Sequence, residues 1–251
     1  MIEITHRDDI AILTMAHGKA NTLDPEFGAA LAEAFEDCNR SAAKAAIITA
    51  RGGIFSAGVD LVRVIERGAG YLHDFLPVLS RALEAAFAFP KPLVAAVNGH
   101  AFAGGCILAC AADRRLMARG SGRIGVPELL VGIPFPTIAF EIVRFAVPSH
   151  QLASLVYSGD TVTADEAVRR GLVDASVDAD QLMSGALAEA ARLAALPPAA
   201  FAITKHQLRA PSFERILEGR HLVDAEIHNY WESPGALDAI KAYVARTFKK
   251  L

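Results

Sequence analysis

The chain has 251 residues, 53% of them hydrophobic and 21% charged. This profile excludes a disordered or collagen-like polypeptide and predicts a globular protein with a large core. Lys and Arg total 25 against 28 Asp and Glu, a formal charge of −3, so no basic excess is available for a nucleic-acid backbone and no nucleic-acid partner is expected. The length allows one large domain or a domain with a smaller appendage, and argues against a string of small modules. Cys38, Cys106 and Cys110 form neither a Cys-x-x-Cys pair nor a Cys/His cluster. No metal site is expected from them, and they read as reduced, mostly buried thiols.

In chain order, residues 2–7 and 10–15 are short β-rich segments separated by Asp8-Asp9, a hairpin signal. Asp24 is placed to cap a helix opened by Pro25, with Phe27, Leu31, Ala34, Phe35 and Cys38 at helical spacing. A strand is expected at 45–49, ended by Arg51-Gly52-Gly53. Residues 71–87 put Leu72, Phe75, Leu76, Leu79, Leu83 and Phe87 on one helical face, and Pro90-Lys91-Pro92 stops that helix. The apolar run 93–112 has enough length to raise a membrane span. Asn98-Gly99-His100 divides it instead into strand, turn and helix, because irregular backbone facing lipid would leave polar groups unpaired. The N-terminus lacks a basic start and apolar run, so a cytoplasmic protein with no membrane partner is expected.

Further on, 114–118 reads as extended and 136–145 as helical, so the first two-thirds alternates strands with helices. After about Pro148 the segments 162–170, 180–195, 199–208, 213–230 and 235–248 read as helices, with a last strand at 172–174. Pro197-Pro198 is the best boundary, which gives a core at 1–196 and a C-terminal helical region at 197–251 whose apolar surface needs a partner.

Several patterns have ordinary explanations. Gly120, Gly122 and Gly125 have the spacing of a dinucleotide-binding loop, but Ile124, Val126 and Pro127 follow where a helix should open. His100, His206, His221 and His228 lie in no Ser/His/Asp or metal-ligand pattern. Cys106 and Cys110, four apart, share a helix face as a small core contact. Lys205-His206 with Arg209, and Arg246 with Lys249 and Lys250, read as solvated helix faces; a phosphate-bearing ligand is the sharper alternative.

Two glycine turns carry more chemistry. Phe55-Ser56-Ala57-Gly58-Val59-Asp60-Leu61 follows a strand, and Asp60 can cap the helix beyond. Asn98-Gly99-His100-Ala101-Phe102-Ala103-Gly104-Gly105-Cys106 passes from strand to helix. Each presents backbone N–H groups at a tight turn, and together they would form an oxyanion hole, with the second helix's positive end aimed at the anion.

With these turns, the order and spacing of Lys19-Ala20-Asn21, Pro90-Lys91-Pro92, Pro127-Glu128, Gly132-Ile133-Pro134 and the run Ala167 to Asp174 resemble the crotonase, or enoyl-CoA hydratase/isomerase, superfamily over nearly the whole chain. The resemblance implies an α/β fold, a spiral of ββα units with a C-terminal helical region that assembles homotrimers, commonly paired into hexamers. It also implies an acyl-CoA thioester substrate and no separate cofactor, since CoA is part of the substrate. Matching the motifs places the oxyanion-hole amides at Val59 and Gly104, and substrate contacts at Ala20, Ala57, Asp60, Leu61, Arg63, Gly105 and Ile107.

Family hydratases use two glutamates to hold and activate water. By the resemblance one is Glu128, while the other position is Ile107, which can neither accept nor donate a proton. Hydration needs a positioned nucleophile and a proton for the adjacent carbon, work suited to two carboxylates. Moving a double bond from C3 to C2 needs only removal of a C2 proton and its return to C4, which one carboxylate can perform. The resemblance to single-glutamate enoyl-CoA isomerases is therefore mechanistically coherent. Leu129, Leu130, Ile133 and Phe135 are expected to give Glu128 an apolar setting and a raised pKa. Glu141 is a candidate second acid if its face turns to the pocket. A hydratase, another crotonase-type hydrolase or decarboxylase, and a non-catalytic acyl-CoA binding protein are the alternatives.

Overall fold

The computed structural model describes residues 1–247. The chain opens with the antiparallel hairpin β1 (Ile2–Arg7) and β2 (Ile10–Met15). Asp24 caps α1 (Pro25–Arg40) by accepting the Phe27 N–H at 2.7 Å, and the five apolar residues expected on one face are all buried. Three similar passages follow. The first is β3 (Ala45–Ala50), β4 (Ile54–Ser56), α2 (Leu61–Arg67) and α3 (Ala69–Phe87). The second is β5 (Leu93–Val97), β6 (His100–Phe102) and α4 (Gly104–Cys110), and the third is β7 (Arg114–Ala118), β8 (Ile124–Gly125) and α5 (Glu128–Val131). The apolar run 93–112 is thus strand, strand and helix, and no single helix among the described residues is long and apolar enough to cross a membrane.

The remainder is α6 (Thr137–Ala146), α7 (Ser149–Ser158), β9 (Thr161–Val162), α8 (Ala164–Arg169), β10 (Ala175–Val177), α9 (Leu182–Ala194), α10 (Pro198–Leu222), α11 (Asp224–Trp231) and α12 (Pro234–Thr247). The first strand of each passage joins a six-stranded sheet of order β1-β2-β3-β5-β7-β10, and the second joins a four-stranded sheet of order β4-β6-β8-β9. This is the expected ββα spiral, built by parallel pairings such as Ile47 with Val94 and Ala96 with Leu116. The main core lies between the sheets and helices, while α9 covers the other face of the large sheet through Leu182, Ala186 and Ala190. Both faces of β3 and β5 are therefore buried, which explains their unbroken apolar sequence.

Three expectations need correction. The last strand is Ala175–Val177, not 172–174; Leu172 and Val173 are buried in the turn before it. The helix α7 has no counterpart in the sequence reading, because only Leu155 and Val156 of its ten residues are buried and no apolar stripe forms. Segments 199–208 and 213–230 redivide into α10 and α11. Pro211 does not break α10 because it lies on the exposed face, where water can serve the carbonyl it leaves unbonded. The expected helix 235–248 is α12; its last residue, with Lys249 and Lys250, lies outside the described residues.

The Lys205/Arg209 pair is also corrected: it is not a solvated face. Both side chains are buried on the inner side of α10 and converge on Asp113, with Lys205 Nζ at 2.7 Å and Arg209 Nη2 at 2.8 Å. Lys205 also donates to the Lys91 carbonyl, and the Arg209 guanidinium lies 4.4 Å from the Phe87 ring centre. Burial pulls the Lys205 pKa down to about 8, against the favourable charge of Asp113. Removing the shared carboxylate would leave two buried cations unpaired, so Asp113→Ala is expected to cost about 3–5 kcal/mol in urea denaturation. A loss below 1 kcal/mol, the size of an exposed pair, would contradict this reading.

Candidate active site

The small sheet decides where the chemistry-bearing turns meet. β4, β6 and β8 run parallel, with Ser56 opposite Ala101, and Ala101 opposite Ile124. Val59 lies three residues beyond Ser56, Gly104 three beyond Ala101, and Glu128 four beyond Ile124. All three therefore leave the sheet at the carboxyl ends of adjacent strands, the edge at which open α/β sheets bind ligands.

The first two turns touch. Gly58 has φ +80, and a Cβ there would stand 2.7 Å from the Phe102 carbonyl and 3.2 Å from the Gly104 nitrogen. Leu23 forms a parallel bridge with Val59: Leu23 N–H donates to the Gly58 carbonyl at 2.8 Å and the Leu23 carbonyl accepts from Asp60 N–H at 3.0 Å. That ladder uses the groups on either side of Val59 and turns the Val59 N–H away from it. The Gly104 N–H is the first of α4 and has no intrahelical partner. Among the described residues, neither amide donates to a protein acceptor. Ala103, just before Gly104, has φ +50 and ψ −124, a conformation that costs an L-residue about 1–3 kcal/mol and is held by its N–H donating to the Gly125 carbonyl at 2.9 Å.

The expected substrate contacts cluster around these turns. The Ala20 carbonyl accepts the Ala57 N–H at 2.9 Å. Asp60 caps α2 by accepting the Arg63 N–H at 3.0 Å, and Leu61 opens that helix. Gly105 packs against Ser56, where any Cβ would collide with the backbone. Arg63 reaches across to Glu26 in a two-pronged pair, both distances 2.7 Å, and this pairing holds the Glu26 carboxyl down to about 2. Glu26, 37 positions away, has no sequence signal that would have revealed it. Ser56 was also missed; it ties the turn together by donating to the Asn21 carbonyl at 2.7 Å and accepting Gly58 N–H at 3.2 Å.

Glu128 sits at the first position of α5 and is 4% exposed. Its Oε2 is buried without a hydrogen-bond partner. Burial is the main cause that pushes its pKa up to about 8, with a smaller push from Cys110 and an opposing pull from its own backbone N–H. Of the apolar neighbours in sequence, Ile133 and Phe135 are buried, whereas Leu129 and Leu130 are exposed. Ile107 is buried on α4, as are Cys106 and Cys110; the neighbouring Cys110 thiol and burial together raise the pKa of Cys106 well above the ordinary thiol value.

Glu141 is corrected as a second acid. Its buried carboxylate accepts from Arg215 Nε of α10 at 2.7 Å and pairs with Arg144 of its own helix at 3.0 Å, so both oxygens are engaged by arginines. The Gly120, Gly122 and Gly125 run leads into β8 rather than a helix; Gly122 and Gly125 allow close approach to the backbone of Gly99 and Asp160. His100 Nδ1 accepts the Arg123 N–H at 3.2 Å, a structural role in the same loop.

Native Glu128 holds its proton up to about pH 8, whereas the ordinary carboxyl releases it near 4.5. The native state thus binds more protons than the unfolded chain over that interval, and stability falls as pH rises through it. Glu128→Gln, which cannot ionise, is expected to gain stability relative to the parent as pH rises from 4.5 to 8 in denaturation curves. A difference independent of pH would contradict the burial of an ionisable Glu128.

Comparison with known proteins supplies the family. The profile of the enoyl-CoA hydratase/isomerase family matches residues 5–246. A Thermus thermophilus protein provisionally named an enoyl-CoA hydratase is 34% identical over 233 residues, 90% of each chain. A carnitinyl-CoA dehydratase of Salmonella agona is 32% identical over 234 residues, 92% of this chain and 89% of its own. Human mitochondrial Δ3-Δ2-enoyl-CoA isomerase shares the fold, with a TM-score of 0.92 over 99% of this chain and 98% of its own at 24% identity. An enoyl-CoA hydratase of Mycobacterium marinum gives a TM-score of 0.82 at 27% identity, covering 90% and 99%. With its ββα spiral and its match over nearly the full length, the chain is an enzyme of the enoyl-CoA hydratase/isomerase family.

Proposed function

We propose that this enzyme moves the double bond of a 3-enoyl-CoA to the 2 position. The observation that supports this most directly is the isolation of Glu128: one buried carboxyl with an unpartnered oxygen, while the second glutamate position of family hydratases is held here by Ile107 and Glu141 is engaged by two arginines. In this reading the Val59 and Gly104 N–H groups donate to the thioester oxygen. Glu128 removes a proton from C2, the C2–H electron pair enters the dienolate, and negative charge collects on the oxygen between the two amides. The electrons then return through the conjugated system, C4 takes the proton from Glu128, and the C2–C3 double bond forms. No water is consumed and the carboxylate is regenerated. Each backbone donor is worth about 2.7–4 kcal/mol of transition-state stabilisation. Ala20, Ala57, Asp60, Leu61, Arg63, Gly105 and Ile107 are proposed to line the substrate. The reaction requires no separate cofactor.

A hydratase is the second reading, favoured by the names of the Thermus and Salmonella relatives. The two differ in product mass. Incubated with a medium-chain 3-enoyl-CoA, the purified enzyme is expected to generate conjugated-thioester absorbance with no gain of water. Glu128→Gln is expected to abolish this while leaving CoA-ester binding intact. Formation of a 3-hydroxyacyl product would favour the hydratase, and turnover unaffected by Glu128→Gln would reject Glu128 as the proton carrier. Because the free enzyme must lose the Glu128 proton before it can act as a base, kcat/KM is expected to rise with pH to a midpoint near 8. A flat profile from pH 6 to 9 would contradict this assignment.

We also propose that residues 197–251 assemble the chain as a homotrimer or a dimer of trimers. Ile203, Leu208, Leu217 and Leu222 stand exposed on α10, and exposed apolar side chains in this number suit a protein partner. Light scattering is expected to give three or six times the chain mass; a monomer would contradict it.

A further inference from the structure

The segment that follows Glu128 is held from behind by the last two helices of the same chain. α5 ends at Gly132, φ +90, and the Gly132 and Ile133 N–H groups both donate to the Glu128 carbonyl at 3.0 Å. Three contacts then fix residues 132–137. Gly132 lies so close to α12 that a Cβ would stand 2.6 Å from the Ala239 methyl. Trp231, buried at the end of α11, donates its Nε1–H to the Pro134 carbonyl at 2.9 Å. Asp224, at the start of α11, accepts from both the Thr137 N–H at 3.0 Å and the Thr137 hydroxyl at 2.5 Å. Pro136 stands at the N-cap of α6 and has no side-chain acceptor, so Asp224 caps that helix from a neighbouring one.

The same region reaches the other reacting turn. α12 packs on α2, which begins two residues after Val59, as well as on α5, which begins at Glu128. One helix therefore spans the two segments that carry the proposed oxyanion donor and the proposed base. An indole N–H in a dry environment must find an acceptor, and here the acceptor is the backbone of the Glu128 segment. The interaction is directional, unlike apolar packing, and fixes where the segment sits.

We infer that Trp231, Asp224 and Ala239 are positioning residues: α11 and α12 together set the placement of the Glu128 carboxyl relative to the Val59 and Gly104 amides and keep water from it. The inference rests on the isomerase reading for its kinetic consequence, though not for its structural one. It assigns the C-terminal helices a role within their own subunit's site, separate from any role in assembly.

Trp231→Phe keeps the ring and deletes the donor. Asp224→Ala deletes the acceptor, Asp224→Asn retains an acceptor oxygen, and Ala239→Val presses on Gly132 from α12 independently of α11. Misplacement by about 1 Å costs about 100-fold in rate, so Trp231→Phe and Asp224→Ala are expected to lower kcat 10- to 100-fold with KM within about threefold of the parent. Asp224→Asn is expected to restore most of the loss.

The second readout needs no turnover. The infrared carbonyl band of protonated Glu128, isolated as the difference between the parent and Glu128→Gln, is expected to titrate at lower pH in Trp231→Phe, Asp224→Ala and Ala239→Val as water reaches the carboxyl. The thiols of Cys106 and Cys110 on α4 are the titratable neighbours that act on it, and none of these variants alters them. If Glu128→Gln proves active, the isomerase reading fails while the infrared shift still tests the brace. Variants with an unchanged band titration and unchanged kcat, even with a lowered Tm, would show that the contacts are merely structural and overturn the inference.

Discussion

The close approach of two glycine turns is the constraint on which the site depends. Gly58 ends one layer of the spiral and Gly104 opens the helix of the next, and a single methyl on Gly58 would strike the Phe102 carbonyl. A side chain at Gly58 would separate the turns and part the two amides, and one at Gly104 would strike the Leu23 side chain. The parallel register of β4, β6 and β8 brings the turns to one edge, and the Leu23 bridge fixes which way the peptide at Val59 faces. The strained backbone at Ala103 lies in the same contact. Local strain and missing side chains are therefore concentrated at the proposed oxyanion hole.

Buried charge is handled in two opposite ways. Asp113, Lys205 and Arg209 neutralise one another and fasten α10 to the strand that starts at Leu93, whose N–H also donates to Asp113 at 2.8 Å. Glu141 is likewise satisfied by two arginines. Glu128 has no such partner, and its unpaired oxygen and elevated pKa mark it out among the buried carboxyls. Buried groups left unsatisfied are costly, and such a group with a shifted pKa is a physical pointer to chemistry.

Much of this was legible in the sequence because it is local. The apolar period of 71–87, the Asp24-Pro25 start of α1 and the glycines of both turns each specify a backbone conformation within a few residues. The apolar run 93–112 resolved correctly because Asn98-Gly99-His100 interrupts it. What the sequence concealed is long-range. Lys205 and Arg209 read as exposed because nothing near them reveals Asp113, and Arg63 gave no hint of Glu26. Trp231 carries no local signal, since its partner is the Pro134 carbonyl 97 positions away. The helix α7 escaped because a weakly buried surface element has no apolar stripe, and α10 was cut in two because a proline on a solvent-facing side costs little of the pattern it normally breaks.

The central claim is that a single buried carboxyl carries one proton between two carbons of the same substrate. A 3-enoyl-CoA dideuterated at C2, turned over once in ordinary water, tests it most directly. The account predicts a 2-enoyl product that retains a measurable share of deuterium at C4, delivered by Glu128 before solvent exchange. A product lacking deuterium at C4 and bearing an added hydroxyl at C3 would contradict it.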